Sequence, residues 1–286
     1  MVETNVTRME ILELLNEGKT GQADLCEDLY VINDAFIGVV DGATNISNQK
    51  LDGKSPGRFA AEVIVAAIKQ CEGDLTLDAV VEKINEALCE KYQALGVWEA
   101  FKADHSLAPK AAMALYSRYH NEVWLVGDCQ CLIDGVHYQH TKIIDEITAN
   151  ARSLYLEAEL RRGKTVEDLM AHDTGFEYVR PLIRMQYYLE NVDSNHPYGF
   201  EVLNGFPIPL DMIQRVRVPS DTDWIALASD GYPVMKSNLK ATEAALKQLL
   251  ADDPLCIRQY KSAKGLVKGN QSFDDRTYIK FKLVEV

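Results

Sequence analysis

The sequence predicts an α+β fold built on antiparallel sheets. Strand-like segments and helix-like segments come in separate blocks instead of alternating, and short strand-like runs are joined by tight turn pairs. No Gly/Pro/Ser-rich linker divides the 286 residues, so residues 1–286 are expected to form one domain, with a helical insertion or flank at about 142–200.

The elements follow in order along the chain. Residues 7–17 read as a short helix, with Thr7 as its N-cap and Gly18 just past its end. LYVI (29–32) and AFIGVV (35–40) read as strands joined at Asn33-Asp34. The segment 56–71 begins with proline and carries apolar residues at helical spacing, as does 76–95, which Thr76 would cap. The period then changes: 111–119, 122–127, 130–134 and 136–140 read as successive strands, with turns at His120-Asn121 and Asp134-Gly135. Residues 142–191 return to helix, broken near Gly163 and Gly175, and a loop rich in Gly, Pro and Asn follows at 194–209. Strands at 212–218 and 224–229, a helix at 241–253 and an alternating strand at 276–286 close the chain.

Composition narrows the function. At 47% hydrophobic and 26% charged the chain is ordinary globular material. No apolar run approaches the roughly 18 residues of a membrane span. The acidic, amphipathic N-terminal stretch lacks the basic flank and cleavage site of a signal peptide. Six cysteines (26, 71, 89, 129, 131, 256) form no CxxC pair and read as buried, reduced thiols. A cytoplasmic protein is therefore expected. A net charge of −13 argues against a broad electrostatic grip on nucleic acid.

Four Asp-Gly pairs occur, at 41–42, 52–53, 134–135 and 230–231. A turn explains Asp134-Gly135, between two short strands, and Asp52-Gly53, in a polar loop. It does not explain Asp41-Gly42 or Asp230-Gly231, each of which follows a strand and precedes a loop. Glu27-Asp28 and Asp274-Asp275 stand just before strands. Carboxylates thus flank four strand ends that an antiparallel sheet can gather at one edge. Hard cations such as Mg²⁺ and Mn²⁺ prefer oxygen ligands, and one carboxylate can bridge two of them.

EDLYVINDAFIGVVDG, VWLVGDCQCLIDG, WIALASDG and SFDDRTYIKFKL resemble, in that order and over nearly the whole chain, the motifs of the PPM-type metal-dependent protein phosphatases (type 2C), as a divergent, bacterial-like member. The resemblance implies a central β-sandwich of two antiparallel sheets flanked by helices, in four layers α-β-β-α. It implies two Mg²⁺ or Mn²⁺ ions at one end of the sandwich. Asp41 would bridge both. The Gly42 carbonyl and Glu27 would serve one ion, and Asp230 and Asp274 the other. Asp28 would orient the attacking water, and Asp128 matches the third-metal aspartate. The substrate implied is a phosphoserine or phosphothreonine protein, or another phosphomonoester, hydrolysed by water activated between the two ions.

The sequence departs from the pattern at three places. Ala23 replaces the arginine that grips substrate phosphate. Ala43, Thr44 and Asn45 replace the His or Met and two glycines that commonly follow Asp-Gly. Val234 replaces the acidic residue that often completes the third metal site, which is left incomplete. Lys54 and Arg58, at the start of helix 56–71, and Lys264 and Lys268, before Asp274, are the candidates for binding phosphate. His196 is the histidine in a loop able to cover a site, and a non-catalytic role is expected for it. Two alternatives stay open: a pseudophosphatase acting as a metal-binding interaction module, and a haloacid-dehalogenase-type phosphatase with Asp41 as nucleophile. No membrane partner is expected, and the oligomeric state is left undefined.

Overall fold

The computed structural model describes residues 7–43 and 50–285; Thr44 and Asn45 lie outside the described residues. Among the described residues, ten strands form two five-stranded sheets. One runs in the order β1 (Thr7–Glu17), β10 (Arg276–Glu285), β9 (Ile225–Ala228), β6 (Gln130–Ile133), β7 (Val136–Gln139). The other runs β2 (Leu29–Ile32), β3 (Phe36–Gly42), β4 (Ala111–Ser117), β5 (Glu122–Val126), β8 (Gln214–Arg217). Every pairing is antiparallel.

Side-chain alternation along the strands builds the layers. Ile37, Val39, Ala114 and Leu125 point from one sheet, and Cys131, Leu227, Ile279 and Phe281 from the other, into a shared core. Their neighbours face outward. Phe36, Val40, Met113 and Trp124 pack under helices α1 (Pro56–Lys69) and α2 (Leu77–Ala94). Ala226, Ala228 and Tyr278 pack under α7 (Leu239–Asp252) through Leu246 and Leu250. The result is the expected four-layer α-β-β-α sandwich. Strands buried on both faces explain why AFIGVV reads as an unbroken apolar run.

Caps match the sequence signals. Ser55 and Thr76 accept from the backbone of Arg58 and Ala79, and Pro56 opens α1. The 142–191 region forms α4 (Ile143–Arg161), α5 (Val166–Ala171) and α6 (Thr174–Gln186). Gly163, at φ 105°, makes the first break. The second falls at His172-Asp173, where Asp173 caps α6 through the Phe176 N–H at 2.8 Å, and Gly175 lies inside the helix. A short helix, α3 (Trp98–Ala103), has no counterpart in the sequence reading.

One expectation fails. Residues 7–17 are not a helix but the edge strand β1, paired along its length with β10. MEILELL places apolar residues at 9, 11, 12, 14 and 15, which suits a helical face as well as a strand. The ambiguity has a structural cause. A register shift between Ile11 and Glu13 flips the alternation, so Met9 and Ile11 face the inter-sheet core while Leu15 faces the opposite side. Long-range pairing with β10 therefore overrides the local period.

The α4–α6 flank is fastened by Arg152, which is fully buried. Its guanidinium donates to the Leu255 and Ser262 carbonyls at 2.8 and 3.0 Å and pairs with Asp173. A buried guanidinium must be satisfied this completely to be tolerated. Among the described residues no helix is long and apolar enough to cross a membrane. All six cysteines are free, and all but Cys89 are buried.

The four Asp-Gly pairs divide as the sequence suggests. Asp52-Gly53 and Asp134-Gly135 have φ of 50°, 76°, 47° and 87°, the left-handed pairs of tight turns. Gly42 and Gly231 have no such φ. They are glycines because backbone approaches closely: a methyl group on Gly42 would lie 2.3 Å from the Gly57 carbonyl oxygen, and one on Gly231 would lie 2.0 Å from that of Asp275. Gly231→Ala is therefore expected to destabilise the protein by about 2 kcal/mol or more, read by urea unfolding; an unchanged midpoint would show that Asp275 can retreat.

Candidate metal centre

Strand register delivers the carboxylates to one end of the sandwich. Asp41 sits within β3, opposite Ala112, at its penultimate position. Asp230 follows β9 by one residue beyond Ser229, and Asp128 lies in the tight β5–β6 connection after Gly127, whose φ is 74°. Carboxylate oxygens of Asp41, Asp128 and Asp230 all lie within 4.8 Å of one another, and among the described residues they are the only such group. All three open onto a cavity of about 930 Å³.

Behind this trio the two acidic pairs are fixed by hydrogen bonds. Asp275 accepts from the backbone N–H groups of Lys19 and Glu27 at 2.8 and 2.9 Å, tying the β1–β2 connection to the start of β10. Asn16 donates to the Asp28 carbonyl at 3.1 Å and to the Thr277 hydroxyl at 2.7 Å, and that hydroxyl donates to the Asp28 carboxylate at 3.2 Å. Asp28 and Glu27 are buried.

Two like charges about 4 Å apart repel by about 4 kcal/mol at an effective dielectric near 20. That repulsion is visible in the acidities. Burial, then the charges of Asp28, Asp128 and Asp274, pushes Asp41 well above the usual carboxylate range. Burial, then Asp41, Asp128 and Asp274, does the same to Asp230. Burial takes Asp28 up to about 8, against a hydrogen bond from Ser229. Two members behave oppositely. Burial acts to raise Asp128, but the Lys142 ammonium at 2.7 Å outweighs it and holds the carboxyl below its ordinary value. Burial likewise acts on Asp274, and the ammonium groups of Lys264 and Lys19 outweigh it.

The sequence-predicted residues fall into three groups. Asp41, Asp128, Asp230, Asp274 and Lys264 line the cavity. Glu27, Asp28 and Gly42 are buried and do not line it, and the Gly42 carbonyl lies against Gly57. Lys54 and Arg58 both pair with Glu62, Arg58 also donating to the Cys26 carbonyl at 2.8 Å; neither lines the cavity, and nor do Lys268 and His196.

Among the cavity residues that escaped the sequence reading are Lys19, His140 and Lys142. Lys19 stands 3.4, 3.5 and 3.8 Å from Asp274, Asp275 and Glu27. Pairing of β1 with β10 brings Glu17 opposite Arg276, and with it Lys19 beside Asp274-Asp275. A strand reading of 7–17 contains that signal and a helix reading hides it.

The donor set fits a divalent cation. Three oxygen-bearing side chains converge, and two of them have carboxyl pKa values raised by burial and by the charge of neighbouring carboxylates, a cost that a cation would offset. Asp274, by contrast, is already neutralised by Lys264 and Lys19.

Solved structures similar to this chain include the serine/threonine phosphatase PstP/Ppp of Mycobacterium tuberculosis, 16% identical, with 96% of this chain and 98% of that one covered at a TM-score of 0.49. The serine/threonine phosphatase Stp1 from Staphylococcus aureus is 15% identical, with 96% and 95% covered and a TM-score of 0.47. RsbX in complex with magnesium is 12% identical, with 97% and 100% covered and a TM-score of 0.44. No protein-family profile matches the chain, and no curated protein matches it by sequence. Identities this low and TM-scores below 0.5 assign no activity to this chain.

The raised acidities predict how the metal-free protein responds to pH. An unfolded aspartate titrates near 4, whereas folded Asp28 titrates at about 8 and Asp41 and Asp230 are also raised. Between those values the folded state holds protons that the unfolded state has lost, so stability falls as pH rises. Asp128 and Asp274, being lowered, act below that window. The melting temperature of EDTA-treated protein is expected to drop between pH 5 and pH 8, and Asp41→Asn to raise it at pH 8. A flat profile would mean that the carboxylates do not repel one another.

Proposed function

We propose that the chain is a Mg²⁺- or Mn²⁺-dependent phosphoric monoester hydrolase of the protein serine/threonine phosphatase type. The observation that carries this reading is the convergence of Asp41, Asp128 and Asp230 within 4.8 Å on the wall of a 930 Å³ cavity. On this reading residues 1–286 act as one phosphatase domain with the 142–200 segment as its flank. The protein works in the cytoplasm on a phosphoprotein or a small phosphorylated substrate, and uses two ions. The antiparallel sheets and Ala43 disfavour a haloacid-dehalogenase-type nucleophile at Asp41.

Asp41 and Asp230 would hold the ions, with Asp128 and Asp274 beside them; Glu27 and the Gly42 carbonyl, set behind the cavity wall, would serve through water. Bound there, the ions would acidify an attacking water and neutralise the phosphoryl oxygens. The chain's own residues do the rest. Asp28, buried and hydrogen-bonded by Thr277, would orient that water from behind the cavity wall. The ammonium groups of Lys19 and Lys264 lie within the cluster and would take the role of the arginine missing at Ala23. Phe176, Ile183, Tyr187, Phe200 and Tyr260 give the cavity an apolar wall for the leaving group.

Mn²⁺ is expected to restore turnover of p-nitrophenyl phosphate that EDTA has removed. Asp41→Asn, Asp230→Asn and Asp274→Asn are each expected to cut turnover by about 10²–10³-fold or more, with the circular dichroism spectrum unchanged. Tight Mn²⁺ binding without hydrolysis of p-nitrophenyl phosphate or of a phosphothreonine peptide would instead identify a metal-binding interaction module. Lys19→Ala is expected to raise KM several-fold while leaving Mn²⁺ affinity within a factor of about three; a KM equal to the parent's would remove Lys19 from phosphate binding.

A further inference from the structure

Cleavage of an alkyl phosphate expels a strongly basic oxygen, which needs a proton as the bond breaks. The carboxylates that would hold the ions are poor sources, because metal loading requires them ionised, and Glu190, Asp173 and Asp145 are paired with Lys110, Arg152 and Lys142. Burial, helped by the charge of Glu190, pushes the Tyr187 hydroxyl up to about 12, and burial with the nearby carboxylates raises Tyr260 further. Lys264 and Lys142 are held cationic by the carboxylates they pair with, and Lys110 is tied to Glu190. One imidazole lines the cavity, that of His140.

His140 is mounted firmly. Its Nδ1 lies 2.7 Å from Oε1 of Glu201, a side chain with no exposure to solvent. The same oxygen accepts the backbone N–H of Gly127 at 3.0 Å, the residue before Asp128. Gln139, adjacent in sequence, donates to the Asp128 carbonyl at 3.0 Å. Both ties lead to the turn that carries Asp128, so the imidazole is referenced to the carboxylate trio. The Nε2 atom has no hydrogen-bond partner among the described residues. Among the described residues Glu201 Oε2 is buried and has no partner, and His140 and the Gly127 N–H are the partners of the carboxylate.

We propose that His140, oriented by Glu201, is the general acid that protonates the leaving oxygen. This rests on the phosphatase reading above. The water oxygen forms its bond to phosphorus while the ester P–O bond breaks. The electron pair of that bond passes to the ester oxygen, which takes the proton from Nε2 of His140. The proton released by the water returns to the imidazole through solvent, and alcohol and hydrogen phosphate leave. The Glu201 hydrogen bond raises the pKa of His140 above the ordinary histidine value, against partial burial; the Glu201 charge adds to it, Lys142 opposes it and Asp128 supports it. Glu201 is a positioning residue, acting through His140.

The test compares leaving groups. Phenyl phosphate needs a proton on its departing oxygen far more than p-nitrophenyl phosphate does. In the Mn²⁺-loaded protein, His140→Asn is expected to lower kcat on phenyl phosphate by about 10²-fold, a loss at least tenfold larger than on p-nitrophenyl phosphate, and to flatten the alkaline limb of the pH profile. Glu201→Gln is expected to move that limb to lower pH. In the metal-free protein, the His140 ring followed by NMR is expected to titrate above the ordinary histidine value and to fall toward it in Glu201→Gln. Equal losses on the two substrates, or an NMR titration that ignores Glu201→Gln, would overturn the role of His140 and leave the phosphatase reading standing. A parent protein inactive on both substrates would overturn that reading and this one together.

Discussion

Repulsion among carboxylates at one end of the β-sandwich is the constraint to which the rest of the molecule answers. Asp41, Asp128 and Asp230 sit close enough that they cannot all be charged without compensation. Left alone, such a cluster would pry the strand ends apart. The fold resists with pairing on both sides: β3 is hydrogen-bonded to β2 and β4, and β9 to β10 and β6. Interior strands with apolar residues on both faces are stiff supports, and the inter-sheet core of Ile37, Val39, Leu227 and Ile279 lies directly beneath.

Close backbone contacts bring the outer layers to the same end. Gly42 meets Gly57 at the start of α1, and Gly231 meets the Asp275 carbonyl. Asp275 in turn gathers the Lys19 and Glu27 amides. This carboxylate therefore serves the architecture, while its neighbour Asp274 faces the cavity. Three lysines, from the β1–β2 connection, the loop before α4 and the loop before β10, supply the positive charge that two of the acids require.

Much of this was legible in the sequence, for reasons that can be named. Turn chemistry separated Asp52-Gly53 and Asp134-Gly135 from Asp41-Gly42 and Asp230-Gly231, because left-handed backbone and close approach both call for glycine but in different surroundings. Blocks of strands gave the antiparallel class, and the start of α1 at Pro56 and the cap of α2 at Thr76 were readable. What escaped depended on distant partners. The edge strand β1 is chosen by β10, some 260 residues away in sequence, and its register shift scrambles the alternation that would announce it. Losing β1 meant losing Lys19. His140 was equally hidden, since its meaning comes from Glu201, a residue of the loop at 190–209 that only folding brings alongside. Lys54 and Arg58 looked like anion binders at a helix start, and Glu62, one turn along α1, claims them both.

Arg152 gives the helical flank a significance beyond shape. One guanidinium holds α4, the cap of α6 and the carbonyls of the 255–262 segment, and Gly265 leaves room for it: a methyl group there would lie 2.6 Å from its Nη2. Lys264 is the next residue back. One wall of the cavity and an ammonium that neutralises Asp274 thus share this fastener. Trimming the flank would not simply widen the cleft; it would cut the anchor of a counter-ion and unbalance the charge at the opposite wall.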